Sequence, residues 1–143
     1  MKVSELMNSN VVSLRPDDTV AHAATLLARH NIGALPVCAP DGRLRGMVTD
    51  RDIVLRCVAS ESQPEETAAR EIMTRGIASV SPEDDVRAAA HLMALEQVRR
   101  LPVVEHGKVV GMLSIADMAR ATEFDMEASK AFCEICSPPP KFS

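Results

Sequence analysis

Short apolar runs and longer amphipathic stretches alternate along this chain, and their order occurs twice. Val11 to Leu14 and Ile77 to Val80 are brief apolar runs that predict strands. Pro-Asp-Asp or Pro-Glu-Asp then supplies the polar start of a helix. In those helices Val20, Ala23, Ala24 and Leu27, and in the second stretch Val86, Ala89, Ala90 and Met93, recur at helical spacing. Each set makes one apolar face, which reads as core. A run ending in Leu-Pro-Val follows, then Asp41-Gly42 or His106-Gly107, then a second apolar run through Gly46-Met47-Val48 or Gly111-Met112-Leu113. Two apolar runs around a glycine turn predict a hairpin. A closing helix is predicted from Thr49 and from Ser114.

The two stretches align without a gap when Met7 is laid over Met73, and Glu5/Glu71, Pro16/Pro82, Asp18/Asp84, Val20/Val86 and Leu35-Pro36-Val37/Leu101-Pro102-Val103 are identical. After one deletion in the turn the register continues through Gly46/Gly111, Met47/Met112 and Asp52/Asp117. The expected organisation is a first repeat over residues 1–59, a polar linker over 60–68, a second repeat over 69–122 and a tail over 123–143. Each repeat reads as βαββα, so the fold class is α+β, a mixed α/β arrangement. One such unit exposes a sheet face that it cannot cover alone. The repeats are therefore expected to pack about a pseudo-two-fold axis, with clefts at their interface.

Composition narrows what such a fold can do. Hydrophobic residues at 46% and charged residues at 25% are those of a globular chain, which argues against disorder. A formal charge of −4 supplies no long-range field for nucleic acid, so any anion site has to be locally basic. No apolar stretch approaches a bilayer span, and the first ten residues lack the apolar core of a signal peptide, so no membrane role and a cytoplasmic location are expected. Cys38 and Cys57 fall in apolar runs and read as small core residues. The four histidines show no ligand-like spacing and no metal site is expected. No Ser/His/Asp, Cys/His or carboxylate constellation recurs between the copies, so there is no candidate catalytic residue and the chain is not read as an enzyme.

The positions that can carry chemistry are Gly-Met-Val-Thr49-Asp-Arg-Asp52 and Gly-Met-Leu-Ser114-Ile-Ala-Asp117. A hydroxyl at a helix start with an acid three residues on is close to a capping box, which needs no ligand. The same pair can also present a hydroxyl and backbone N–H groups to a phosphate, while the carboxylate accepts from two adjacent ribose hydroxyls. One residue pair can do both.

Two repeats carrying Leu-Pro-Val and Gly-x-x-[Ser/Thr]-x-x-Asp resemble the CBS (cystathionine-β-synthase-type) domain family over about residues 3–122. The resemblance implies phosphate contact by Thr49 and Ser114 and ribose contact by Asp52 and Asp117. It implies adenine contact by backbone and aliphatic groups at Val12, Ala78, Ile32, Gly33 and Val98, which suits a chain with only 2% aromatic residues. Just before Leu-Pro-Val, Gly33-Ala34 in the first copy faces Arg99-Arg100 in the second, at a place where the family carries basic phosphate-facing residues. Neighbours on a strand point to opposite sides, so the two arginines are not expected to share one sheet face. The second copy thus reads as the better phosphate clamp, and Arg51, replaced by Ala116 in the other copy, is a separate candidate contact.

The resemblance implies a stand-alone regulatory module with no cofactor other than a regulatory adenosyl nucleotide. AMP, ADP or ATP is favoured over S-adenosylmethionine or an NAD-type ligand, with a homodimer and an unidentified regulated protein as partners. The competing reading is an assembly module that binds no ligand. In the tail, Phe124, Ala128, Phe132 and Ile135 at helical spacing predict an amphipathic helix, with packing on its own module or across a dimer favoured over docking on a regulated protein. Cys133-x-x-Cys136 falls short of the four ligands of a structural zinc site.

Overall fold

Thr19 and Asp85 start the two long helices of the chain. In the computed structural model, which describes residues 1–121 and 133–135, Thr19 Oγ1 accepts the His22 N–H at 3.1 Å and Asp85 Oδ1 accepts the Arg87 N–H at 2.8 Å. The acids just before them close the preceding turn instead: Asp18 Oδ2 accepts the Arg15 N–H and Asp84 Oδ2 accepts the Ser81 N–H, each at 2.8 Å. Helix α2 (Val20–His30) and helix α5 (Val86–Glu96) end on the left-handed residues Asn31 and Gln97, at φ 52° and 58°. In chain order the other elements are α1 (Val3–Leu6), β1 (Ala34–Cys38), β2 (Leu44–Thr49), α3 (Asp50–Ile53) with a π-helical continuation over Val54–Val58, α4 (Ala69–Ile72), β3 (Arg100–Glu105), β4 (Lys108–Ser114) and α6 (Ile115–Arg120). The fold is α+β, with two small antiparallel sheets.

Both predicted hairpins form. β1 pairs with β2 from Ala34↔Thr49 to Cys38↔Leu44, with a bulge after Val37. The second hairpin turns on His106 and Gly107, both with positive φ (53° and 80°), the geometry of a tight two-residue connection.

The first strands of the two repeats do not form as predicted. Each reduces to one parallel bridge, Leu14 to Val37 and Val80 to Val103. Leu14 donates to the Pro36 carbonyl at 2.9 Å and accepts from Cys38 N–H at 2.8 Å; Val80 and Pro102 to Val104 repeat this at 3.1 and 2.8 Å. Two residues further back, the ladder would need an N–H from Pro36 or Pro102, and two residues further on it would need one from Pro16 or Pro82. Proline has none, so each ladder stops after a single rung.

The helix faces hold with one exception. Val20, Ala23, Leu26 and Leu27 are buried, as are Val86, Ala89, Ala90 and Met93, but Ala24 is exposed where its counterpart Ala90 is not. Leu26 takes the place assigned to Ala24 on the buried face of α2.

Two compact units emerge, and they do not follow the repeat boundaries. One gathers Met1–Asn10, Ala78–Glu105 and the described residues from Val110 on; the other gathers Val11–Ile77 and His106–Val109. Residues 1–10 therefore belong with the second repeat, and residues 69–77 with the first. Val3 is fully buried in the core of Val86, Met93, Leu101 and Leu113, and it donates to the Asp84 carbonyl at 2.8 Å. Ala69, Ile72 and Met73 sit in the core of Leu14, Val20, Leu35 and Val48, where Ala69 N–H donates to the Asp18 carbonyl at 2.7 Å. In each unit the borrowed segment also caps the free edge of the hairpin, Thr74 against Met47 and Asn8 against Met112. This satisfies edge N–H and C=O groups that would otherwise stand open.

Of the predicted tail helix, Phe124, Ala128 and Phe132 lie outside the described residues, as does Cys136. Residues 133–135 are helical, Ile135 packs against the second-repeat core, and Gln97 Nε2 donates to the Glu134 carbonyl at 2.8 Å.

Candidate functional site

Strand β2 delivers Thr49 to the start of α3, and β4 delivers Ser114 to the start of α6. Both residues are extended (φ −113°, ψ 165° and φ −114°, ψ 159°), so the backbone turns from strand to helix within one residue. Thr49 Oγ1 accepts the Asp52 N–H at 3.0 Å while Asp52 Oδ2 accepts the Thr49 N–H at 3.0 Å. Ser114 Oγ accepts the Asp117 N–H at 3.1 Å while Asp117 Oδ2 accepts the Ser114 N–H at 2.9 Å. Two reciprocal capping boxes are thus formed.

The capping box consumes only Oδ2 of each aspartate. Oδ1 is left outside the cap, and here the copies part. Asp117 Oδ1 meets Arg120 Nη2 on the surface of its own helix. Asp52 Oδ1 accepts from Thr74 Oγ1 at 3.2 Å and lies 3.7 Å from Arg56 Nη1. Asp52 is the one buried charged residue among the described residues.

The loop before each Leu-Pro-Val strand touches the motif through its backbone. The Gly33 carbonyl accepts the Asp50 N–H at 3.2 Å, and the Arg99 carbonyl accepts the Ile115 N–H at 2.8 Å. Val12 and Ile32 are half-buried against the core of the first-repeat unit, and Ala78 and Val98 against that of the second. Thr49, Asp52, Val12, Ile32 and Gly33 thus share one unit, and Ser114, Asp117, Ala78, Val98 and Arg99 the other. The two arginines do not sit side by side on a strand: Arg99 precedes β3 and is exposed, whereas Arg100 is its half-buried first residue. Arg51 is exposed on the first turn of α3, and its N–H donates to Asp50 Oδ1 at 2.8 Å.

Three partners of the aspartates were not among the predicted site residues: Arg56, Thr74 and Arg120. The available signal was divergence, since Arg56 stands opposite Ala121 and Thr74 opposite Asn8 in the aligned repeats. Among the described residues no cluster of three or more His, Cys, Asp or Glu is placed to hold a metal ion. Among them, too, no helix is long and apolar enough to cross a membrane.

The CBS domain family matches this chain twice, over residues 3–58 and 69–123. The CBS domain-containing protein YhcV of Bacillus subtilis is 38% identical over 117 residues, which cover 82% of each chain. Among solved structures, Hypoxic Response Protein I with two coordinated zinc ions superposes at a TM-score of 0.79 and 36% identity, covering 84% of this chain and 98% of that one. CBSX2 in complex with AMP superposes at 0.75 and 27% identity, with 85% and 96% covered. The CBS domain pair of protein MJ0100, in complex with 5-methylthioadenosine and S-adenosyl-L-methionine, also superposes at 0.75 and 27%, with 86% and 96% covered. Two family matches that between them span most of the sequence, on a structure with the same two small sheets, place this chain in the CBS-domain family as a pair of CBS repeats.

Proposed function

We infer that this CBS pair is a regulatory module that binds an adenosyl nucleotide, AMP, ADP or ATP, and passes its occupancy to a partner protein. The observation that carries this reading is Oδ1 of Asp117, which the capping box leaves over and which, among the described residues, meets an exposed arginine alone. A carboxylate oxygen so placed suits the vicinal hydroxyls of a ribose, since it accepts more than one hydrogen bond. The Ser114 hydroxyl keeps its proton to donate to a phosphate, because its oxygen serves as the acceptor in the cap. Arg99 and Arg100 supply the local positive charge that a phosphate needs in a chain of net charge −4. Half-buried Ala78 and Val98 offer an aliphatic surface for adenine. Adenosyl ligands in CBSX2 and protein MJ0100 support the same reading. Signalling then requires that the nucleotide bind one arrangement of the module better than another. A homodimer is the expected assembly.

Calorimetric titration of the purified chain with AMP and ATP tests this. Saturable binding is expected, and Asp117→Asn, which keeps a cap acceptor but removes the charge, should weaken it about 10-fold to 100-fold, as for loss of a charged hydrogen bond. Flat titrations with both nucleotides at millimolar concentration would instead favour a ligand-free assembly module.

A further inference from the structure

We propose that Asp52 serves as the anchor that ties residues 69–77 to the first repeat, and that the ribose diol is left to Asp117 alone. The second clause rests on the adenosyl reading above; the first does not. Both carboxylate oxygens of Asp52 already accept a hydrogen bond from the protein, and a third donor stands beside them. Oδ2 closes the cap on Thr49, and Oδ1 takes the Thr74 hydroxyl. The side chain is only 10% exposed.

The donors around Asp52 Oδ1 are themselves held. Thr74 is fixed to β2 by two backbone bonds with Met47, at 2.8 and 3.0 Å. Its hydroxyl oxygen also accepts from Arg56 Nη1 at 3.2 Å. The same Nη1 donates to the carbonyls of Ile72 and Met73 at 3.0 and 3.2 Å, at the end of α4 where a helix leaves its carbonyls open. A sugar diol arriving at Asp52 would have to crowd past the Thr74 hydroxyl, whose residue is part of a sheet edge, and the Arg56 guanidinium, which has three other partners. Pushing the half-buried Thr74 hydroxyl off Asp52 would leave it short of an acceptor, which is the costly case for polar groups.

Among the described residues nothing comparable guards Asp117. The residue opposite Arg56 is Ala121, which has no donor to offer. Asn8 stands opposite Thr74, and its Oδ1 accepts the Asn10 N–H at 2.9 Å. Arg120, the one side chain among the described residues that meets Asp117 Oδ1, is 71% exposed, so it can swing into water when a ligand arrives. The sequence repeat is symmetric at the aspartates, and the structure breaks that symmetry one shell further out.

Two measurements on the full chain decide the matter. In titrations with AMP, one nucleotide per chain is expected, with Asp117→Asn weakening it tenfold or more and Thr74→Val leaving the dissociation constant within about twofold. Two nucleotides per chain, or an Asp52→Asn variant that weakens binding as Asp117→Asn does, overturns the assignment of the diol to Asp117. In urea unfolding, Asp52→Asn and Thr74→Val should each lower the midpoint, the double variant should fall short of the sum, and Thr74→Ser, which keeps the hydroxyl, should match the unaltered chain. Additive shifts overturn the anchor. If AMP fails to bind at all, the diol clause falls together with the nucleotide reading, while the urea cycle still decides the anchor by itself.

Discussion

A Cβ atom built on Gly46 would lie 2.6 Å from the backbone carbonyl oxygen of Thr74. The approach is this close because Thr74 pairs with Met47, the next residue along β2, through both of its backbone groups. A glycine is thus required for residues 69–77 to cap the sheet edge, and the requirement is steric, not conformational.

The expected consequence is a graded series of alanine variants. Gly46→Ala meets a fixed carbonyl and the Met73 sulfur at 2.9 Å, and should destabilise by about 1–3 kcal/mol, as for overpacking. Gly111→Ala meets the Met7 sulfur at 2.6 Å, in a flexible side chain, and a backbone carbonyl, that of Asn8, only at 3.2 Å, so it should cost less. Gly76→Ala meets nothing within 4 Å but carries φ +67°, and should cost roughly 1–2 kcal/mol from the left-handed backbone alone. Urea midpoints of the three variants give the order. Gly111→Ala proving the most damaging would refute the edge-packing account.

Leu35 and Leu101 occupy equivalent positions in the two Leu-Pro-Val strands and are 0% and 1% exposed. Leu→Ala at either should cost about 2–5 kcal/mol, because the surrounding core can only partly close the space. Leu95, 78% exposed on α5, should tolerate alanine to within about 0.5 kcal/mol. Equilibrium unfolding monitored by far-UV circular dichroism checks both statements, and equal losses at Leu35 and Leu95 would contradict the core described above.

Cys38 is buried, and that burial pushes its thiol above the ordinary value, with nearby Arg15 pulling partly the other way. The folded chain therefore holds this proton to higher pH than the unfolded chain does. Since the folded state binds more protons there, stability contributed by the neutral thiol is complete below the ordinary cysteine range and declines as pH rises through it. Cys133, by contrast, is exposed. Mass-mapped labelling at pH 8 should modify Cys133 quickly and Cys38 only under unfolding conditions, since the thiolate is the reacting form. Rapid native labelling of Cys38 would count against its place in the core.

Much of this protein is local and was therefore readable from residue order alone. The helical faces from Val20 and Val86, the turn at His106-Gly107 and the strand-to-helix position of Thr49 and Ser114 follow from periodicities and turn chemistry within a dozen residues, and the duplication from laying one half of the sequence over the other. The single-rung ladders at Leu14 and Val80 were legible in principle, because four prolines flank the pairing positions, but only once the partner strand is known. The exchange of residues 1–10 and 69–77 between the units was not legible, since Val3 and Ala69 are apolar in both arrangements and repeat alignment assigns each to its own copy. Nor was the unequal fate of the two aspartates. Their local frames are the same to within a tenth of an ångström in the cap hydrogen bonds. What separates them is Thr74, twenty-two residues from Asp52 in sequence and brought to it by a sheet edge. Hydrogen bonds across such a distance are decided by packing, and packing exists only in three dimensions.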